Sequence, residues 1–137
     1  MYGRQVQGTA QNKKGLEVGQ MIEIFDYDGE GFRAIHSFEG WKLGLINYSE
    51  RFSAKRELER HLKTDEAFVL LEGNAKLYTD VQEVAMEKGK IYNVPACVWH
   101  HIVLSEDAKV LVIENSDTSK ENTEKMLVLE EKSNADK

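Results

Sequence analysis

The stretch ERHLKTDEAFVLLEG, residues 59–73, places two carboxylates and an imidazole within a few residues of one another. Residues two apart on a strand face the same way, so Glu59 and His61 share one face. Glu66 opens the next apolar run, and His100 follows further along the chain. Carboxylates and imidazoles that converge on one point are ligands of divalent metals, so the stretch predicts a β fold built around a metal site.

Short apolar runs bounded by turn residues continue on both sides of this stretch. They predict about nine strands, and the absence of a sustained 3.6-residue apolar stripe before residue 115 favours an all-β sandwich or barrel. Glu72-Gly73-Asn74 is interpreted as a hairpin turn, since Gly73 tolerates positive φ. The expected strands are 20–25, 32–38, 42–48, 57–62, 66–72, 74–79, 90–94, 98–104 and 109–114.

The length of 137 residues predicts one domain over 1–137. Its core is expected at about 20–115, followed by a polar C-terminal extension over 116–137 that ends in frayed residues. The extension has one apolar cluster, residues 126–129, which adds either a last strand or a short helix.

Composition excludes several classes of protein. A net charge of −6 argues against a nucleic-acid-binding surface, because such surfaces need basic side chains. No apolar run approaches the roughly 18 residues of a membrane span, so no membrane partner is expected. The start lacks the apolar stretch of a secretory signal, and Cys97 is the only cysteine, so the predicted location is the cytoplasm.

Two adjacent histidines compete for a place at the predicted metal site. His100 shares a face with Ile102 and Leu104, whereas His101 points with Trp99 to the other side. Only one of the two can easily join Glu59 and His61. Strand alternation alone does not choose between them.

The residues around 59–73 resemble the first motif of the cupins. That motif runs Gly, five residues, His-x-His, three or four residues, Glu, six residues, Gly. His61, Glu66 and Gly73 match it, with Glu59 in the place of the first His and Ser53 in that of the first Gly.

The second cupin motif, Gly, five residues, Pro-x-Gly-x-x-His, resembles the segment 89–100. Gly89, Pro95 and His100 match it, and Cys97 stands in the place of the second glycine. A positive φ at this position would put strain of roughly 1 kcal/mol on Cys97.

The resemblance implies the cupin double-stranded β-helix, a jelly-roll barrel. It also implies that His61, Glu66 and His100 are metal ligands and that Glu59 is a fourth ligand or a catalytic base. Two imidazoles and one or two carboxylates suit Fe, Mn, Ni or Zn. Exposed edge strands and the family resemblance together predict a homodimer.

The functional hypothesis is a metal-dependent lyase or isomerase that acts on a small polar metabolite. Glu59-Arg60-His61 and Trp99-His100-His101 resemble short motifs of the ureidoglycolate lyase branch, which points to ureidoglycolate-like compounds or hydroxy and keto acids. One alternative is a small-molecule-binding cupin or sensor without chemistry. Another is a non-haem iron dioxygenase, which uses two histidines and a carboxylate.

Overall fold

The computed structural model describes residues 22–128, which form ten strands and two short 3-10 helices. The helices span Glu50–Phe52 and Lys120–Asn122. The strands are β1 Gly31–Phe38, β2 Trp41–Asn47, β3 Glu57–His61, β4 Glu66–Glu72, β5 Ala75–Thr79, β6 Glu83–Ala85, β7 Ile91–Val94, β8 His100–Leu104, β9 Lys109–Asn115 and β10 Thr123–Leu127.

The strands form two five-stranded antiparallel sheets, as a jelly roll requires. One sheet has the order β1-β2-β9-β4-β7, and the other has the order β10-β3-β8-β5-β6. The prediction of an all-β jelly-roll barrel is therefore confirmed. Within the described residues, no helix is long and apolar enough to cross a membrane.

The inner faces of the sheets supply the apolar core. On β9, Val110 and Val112 are fully buried, and the core also contains Phe68 and Leu70 from β4. Every second residue of these strands points inward, so burial follows the period of two that a half-buried strand imposes. Glu66 on β4 and Glu114 on β9 continue the inward rows, which carries polar side chains to one end of the core.

Eight of the nine expected strands are present, with ends that agree to within two residues. The exception is 20–25, because residues 22–25 form no strand and residues 20 and 21 lie outside the described part. Residues 22–25 lie outside both sheet ladders, and Ile22 remains 87% exposed. Side chains hold the chain just after it, where Asn47 and Lys109 donate hydrogen bonds to the Tyr27 carbonyl.

The C-terminal segment contributes a strand. β10 pairs with β3 from Thr123 opposite His61 to Leu127 opposite Glu57, so it begins before the apolar cluster expected at 126–129. The expected frayed end lies outside the described residues. β6 was not predicted, because its three residues are too few for a periodic pattern.

The turn at Gly73 differs from the expected hairpin. β4 and β5 belong to different sheets, so the turn carries the chain from one sheet to the other. Gly73 has φ +72°, and a Cβ there would lie 2.6 Å from the Ala108 Cα. Both the backbone conformation and the close approach therefore require glycine.

Candidate metal centre

Three strands of one jelly roll bring the sequence-predicted ligands together. Glu59 and His61 lie on β3, Glu66 is the first residue of β4, and His100 is the first residue of β8. One potential ligand atom from each of the four lies within 4.8 Å of all the others. Direct pairing of Glu59 with His100 across β3 and β8 contributes to this convergence. We call these residues the four-residue cluster.

Glu66 lies at the centre of the four-residue cluster. Its Oε1 is 2.9 Å from His61 Nε2 and 3.0 Å from His100 Nε2. All three side chains are buried. A buried carboxylate is costly unless it is paired, so the two imidazoles and Glu66 must act as one electrostatic unit.

The far sides of both rings fix their tautomers. His100 Nδ1 lies 2.9 Å from the Val98 carbonyl, which can only accept a hydrogen bond. His61 Nδ1 lies 2.8 Å from Thr123 Oγ1, and that hydroxyl donates its own hydrogen to the Ser119 carbonyl. Each Nδ1 must therefore carry the hydrogen. Each neutral ring then turns the lone pair of Nε2 toward Glu66.

Two lone pairs and a carboxylate oxygen at about 3 Å repel one another unless positive charge lies between them. A proton on Nε2 or a metal ion supplies that charge. Burial lowers the pKa of His61, but the hydrogen bond and charge of Glu66 outweigh burial and raise the pKa above 6.5. Burial also favours neutral Glu66, yet hydrogen bonds with His100 and His61 lower its pKa to about 2.

The donor set fits a divalent transition metal. Two Nε2 atoms with fixed tautomers and one or two carboxylates match the ligands that Fe, Mn, Ni and Zn accept. Hydrogen bonds from the non-ligating nitrogen to carbonyl or hydroxyl oxygens are what metal-binding histidines make in general. The four-residue cluster could thus hold a metal, whose identity the ligand types leave open.

Glu59 is placed differently from the other three residues. Its Oε1 accepts a hydrogen bond of 3.3 Å from Arg51 Nη2, while its Oε2 lies 3.7 Å from His61 Nε2. One oxygen of the Glu59 carboxylate thus contacts the Arg51 guanidinium group, while the other faces the centre of the cluster. Glu59 is also more exposed, at 20% of its side chain.

Sequence reasoning missed a buried carboxylate and a lysine beside the four-residue cluster. In the sheet register Glu114 lies directly opposite Lys42 on one side and Glu66 on the other. Lys42 Nζ is 3.6 Å from Glu114 Oε1. The available signal was the inward row Val110, Val112, Glu114, in which a charged residue replaces an apolar one.

The neighbours of Glu114 shift its proton affinity. Burial raises the pKa of Glu114, and a hydrogen bond with Glu66 and the charge of Glu66 raise it further, to about 7. The positive charge of Lys42 acts in the opposite direction. Near neutral pH this carboxyl can therefore hold or release a proton.

The four-residue cluster opens into a cavity of about 610 Å³. Phe32, Ile46, Phe68 and Ile102 form part of its apolar wall, and basic side chains line another part. Sites for small molecules generally fall in the range of roughly 300–1,000 Å³ and combine apolar walls with a few placed polar groups. The cavity is thus large enough for a small metabolite next to the cluster.

Comparison with known proteins agrees with this architecture. A family model described as the cupin domain matches residues 52–114, which span the four-residue cluster. Residues 52–114 therefore belong to the cupin superfamily. No curated protein matches the sequence.

Three solved structures illustrate the similarity of this cupin to others. A cupin-2 domain protein from Shewanella frigidimarina is 23% identical, with 65% of this chain and 84% of that chain covered and a TM-score of 0.52. An RmlC-like cupin from Desulfovibrio desulfuricans is 21% identical, and the match covers 73% of this chain and 96% of that chain with a TM-score of 0.50. Streptomyces PAC13, a nucleoside dehydratase, is 7% identical, and the match covers 76% of this chain and 85% of that chain with a TM-score of 0.60. At these identities the likeness concerns the fold.

His101 and Arg60 stay outside the four-residue cluster of this cupin. The His101 ring stacks on Phe52 at 5.9 Å, and burial together with the charge of Arg51 lowers its pKa to about 4. Arg60 points away from His61, bonds Glu124 at 2.7 Å and covers the Trp99 ring at 4.5 Å. Arg60 and Trp99 therefore stabilise the outer surface.

Cys97 adopts φ +70° in the turn before β8. The sequence places this residue where cupins usually have glycine, so a side chain occupies a backbone conformation that disfavours one. The Cys97 N–H donates a 2.7 Å hydrogen bond to the His61 carbonyl. The strained turn is thus tied directly to a cluster residue.

Proposed function

We propose that this cupin is a metal-dependent enzyme that acts on a small polar metabolite, with lyase or isomerase chemistry. The observation that carries the proposal is the fixed tautomer of both buried imidazoles. The Thr123 hydroxyl accepts the Nδ1 hydrogen of His61, and the Val98 carbonyl accepts that of His100. Both Nε2 lone pairs are therefore available to one cation. Both Nε2 atoms lie within 3.0 Å of the same carboxylate oxygen of Glu66, so a cation placed there would meet all three side chains.

In the proposed mechanism His61, His100 and Glu66 hold the metal. When bound, such an ion supplies Lewis acidity toward a carbonyl or hydroxyl oxygen of the substrate. Glu59 accepts or returns the substrate proton, because its Oε2 faces the cluster while Arg51 holds its Oε1. Apolar walls from Phe68 and Ile102 limit the access of water to that step.

The substrate class follows from size and polarity. Hydroxy acids, keto acids and ureidoglycolate-like compounds fit a cavity of about 610 Å³. A dehydratase activity is stated for PAC13, which shares this fold, and dehydration is itself a lyase reaction. That likeness supports the reaction class at the level of the fold alone.

Non-haem iron oxygenation is a second candidate function. Its specific support is that Glu59 is already paired with Arg51, which leaves two histidines and Glu66 as a three-ligand set. Oxygen consumption by the iron-loaded protein with candidate substrates would separate it from lyase chemistry. We further propose that the protein is cytoplasmic and forms a homodimer. Sedimentation at several concentrations would test the dimer.

Elemental analysis of tag-free protein tests the metal proposal. We expect close to one transition metal per chain, its loss in His100→Ala, and its retention in the control His36→Ala, a histidine outside the four-residue cluster. A screen of hydroxy acids, keto acids and ureido compounds should then give a product only with metal present. Wild-type protein that is metal-free and cannot be loaded overturns the proposal. Binding without product would instead indicate a sensor.

A further inference from the structure

We propose that the cavity binds its substrate through a negatively charged group, a carboxylate or a phosphoryl group, and that Lys120 is the specificity-determining residue for that group. The inference deepens the proposed function, since it names the substrate class of the same site. It starts from the charges on the cavity wall. It does not depend on which reaction follows.

The cavity wall is basic although the chain as a whole is acidic. Four basic side chains line it against three carboxylates, which leaves one positive charge, whereas the chain carries −6. A divalent ion would raise the local charge to three. The basic residues are Lys42, Arg51, Lys120 and Lys125, and the acidic residues are Glu59, Glu66 and Glu114. A concave wall with a net positive charge attracts anionic ligands.

Lys120 is the basic side chain whose charge remains available. Each of the others has a carboxylate partner: Lys42 lies 3.6 Å from Glu114, Arg51 lies 3.3 Å from Glu59, and Lys125 lies 3.8 Å from Glu57. Lys120 makes no ion pair with any residue between 22 and 128, although it lines the same cavity. An anionic substrate would supply the partner that it lacks.

The β9–β10 loop, residues 116–122, presents Lys120 from a fixed backbone. Buried Asn122 accepts a hydrogen bond from the Ser119 N–H and donates one to the Asp117 carbonyl. Lys42 donates to the Thr118 carbonyl at 3.1 Å, and the Thr118 hydroxyl lies 2.9 Å from that of Thr64. Binding a ligand at Lys120 would therefore cost little ordering of the loop.

The β9–β10 loop also connects Lys120 to the four-residue cluster. The Ser119 carbonyl, one residue before Lys120, accepts the hydrogen bond from the Thr123 hydroxyl that fixes the tautomer of His61. The segment that orients a proposed metal ligand thus also supplies the unpaired cation. One end of a substrate can lie at the cluster while its anionic group contacts Lys120.

Paired anionic and neutral probes test the inference on the whole protein, both metal-loaded and treated with chelator. Calorimetry would compare succinate with neutral succinamide and glycerol 3-phosphate with glycerol. We expect the anion of the preferred class to bind at least tenfold more tightly than its neutral partner. Lys120→Gln should lower the affinity for the preferred anion by about fivefold, as expected for an exposed charge pair. Lys120→Arg should restore most of the affinity.

Lys63→Gln is the matched control, because Lys63 is also exposed and lies outside the cavity lining. It removes the same charge and should leave anion affinity unchanged. Tighter succinate binding alone assigns a carboxylate, and tighter glycerol 3-phosphate binding alone assigns a phosphoryl group. Equal binding of anions and neutral partners, or equal losses in Lys120→Gln and Lys63→Gln, overturns the inference.

Metal content measured on the same samples separates this inference from the proposed function. Protein that contains metal but shows no anion preference rejects the inference and leaves the metal-enzyme proposal in place. Protein that binds no metal but shows Lys120-dependent anion binding rejects the metal-enzyme proposal and leaves the inference in place. Lys120→Gln itself should keep its metal, because Lys120 is outside the four-residue cluster.

Discussion

The Nδ1 atom of His61 on β3 lies 2.8 Å from Oγ1 of Thr123, the first residue of β10. The Thr123 hydroxyl donates to the Ser119 carbonyl, so it can only accept from the imidazole. A strand from the C-terminal segment thereby determines which nitrogen of His61 faces Glu66. The segment has a role in the site that its polar composition did not indicate.

Thr123→Val should weaken metal binding without removing it. Valine keeps the shape of threonine but cannot accept the Nδ1 hydrogen, so His61 is free to adopt the wrong tautomer. Loss of such a supporting hydrogen bond typically costs 10–100-fold in metal affinity. Competition titration with a chromogenic chelator would measure the change. Thr79→Val, on β5 and outside the cavity lining, should leave the affinity unchanged; a similar loss in both variants would contradict the assignment.

The stability of the metal-free protein should fall as pH rises from about 6.5 toward 8. Below pH 6.5 the loss from Glu114 is offset by His101, whose pKa is lowered to about 4 and whose contribution therefore grows as pH rises from 4 to 6.5. Glu114 has its folded pKa raised to about 7 from 4.5, and His61 has its pKa raised above 6.5. Both hold protons more tightly when folded, so their contributions are complete below the unfolded pKa and are lost as pH passes the folded one. Glu66, lowered to about 2, contributes above pH 4.5 and loses its contribution as pH falls toward 2.

Urea unfolding of chelator-treated protein at several pH values would measure this profile. Relative to wild type, the stability of Glu114→Gln should rise with pH between 4.5 and 7, because the amide does not titrate and the loss caused by Glu114 is removed. Glu106→Gln, an exposed glutamate outside the cavity lining, should leave the slope unchanged. An unaltered slope in Glu114→Gln between pH 4.5 and 7 would show that Glu114 does not take up a proton on folding.

The local motifs carried most of the information about the fold. The period of two in strands such as 109–114 and the spacing from His61 to Gly73 are set by neighbouring residues, so they can be read directly. Residues 20–25 alternate in part, yet residues 22–25 form no strand, because strand pairing is a non-local property. Strand alternation likewise left His100 and His101 equivalent; the structure places His100 beside Glu66.

The parts of the site that the sequence did not reveal depend on register between distant strands. Lys42, Glu66 and Glu114 meet because β2, β9 and β4 are adjacent and in register, which no local spacing encodes. Lys120 reaches the cavity because β10 pairs with β3. The sequence indicated only one of these residues locally. Glu114 follows Val110 and Val112 in an inward-facing row, and a charge in such a row requires a partner.

Cys97→Gly should increase the free energy of unfolding by about 0.5–1 kcal/mol. Cys97 has φ +70°, which costs an L-residue roughly 1–2 kcal/mol, and the greater unfolded-state entropy of glycine offsets part of the gain. The side chain is exposed, so its removal sacrifices little packing. Cys97→Ala keeps the strain and serves as the control. If glycine and alanine gave equal stabilities in urea, the turn would carry no strain.

Glu59→Gln should abolish turnover while retaining metal. Glutamine preserves the size of Glu59 and its hydrogen bond from Arg51 but cannot accept a proton, and losing a general base typically costs 10²–10⁴ in rate. Its Oε2 is 3.7 Å from His61 Nε2, further than the 2.9 Å of Glu66, so metal affinity should fall less than tenfold. Glu66→Gln, the matched variant at the centre of the cluster, should lose the metal. Elemental analysis of both variants measures the difference, and metal loss from Glu59→Gln as complete as from Glu66→Gln would make Glu59 a ligand instead of the base.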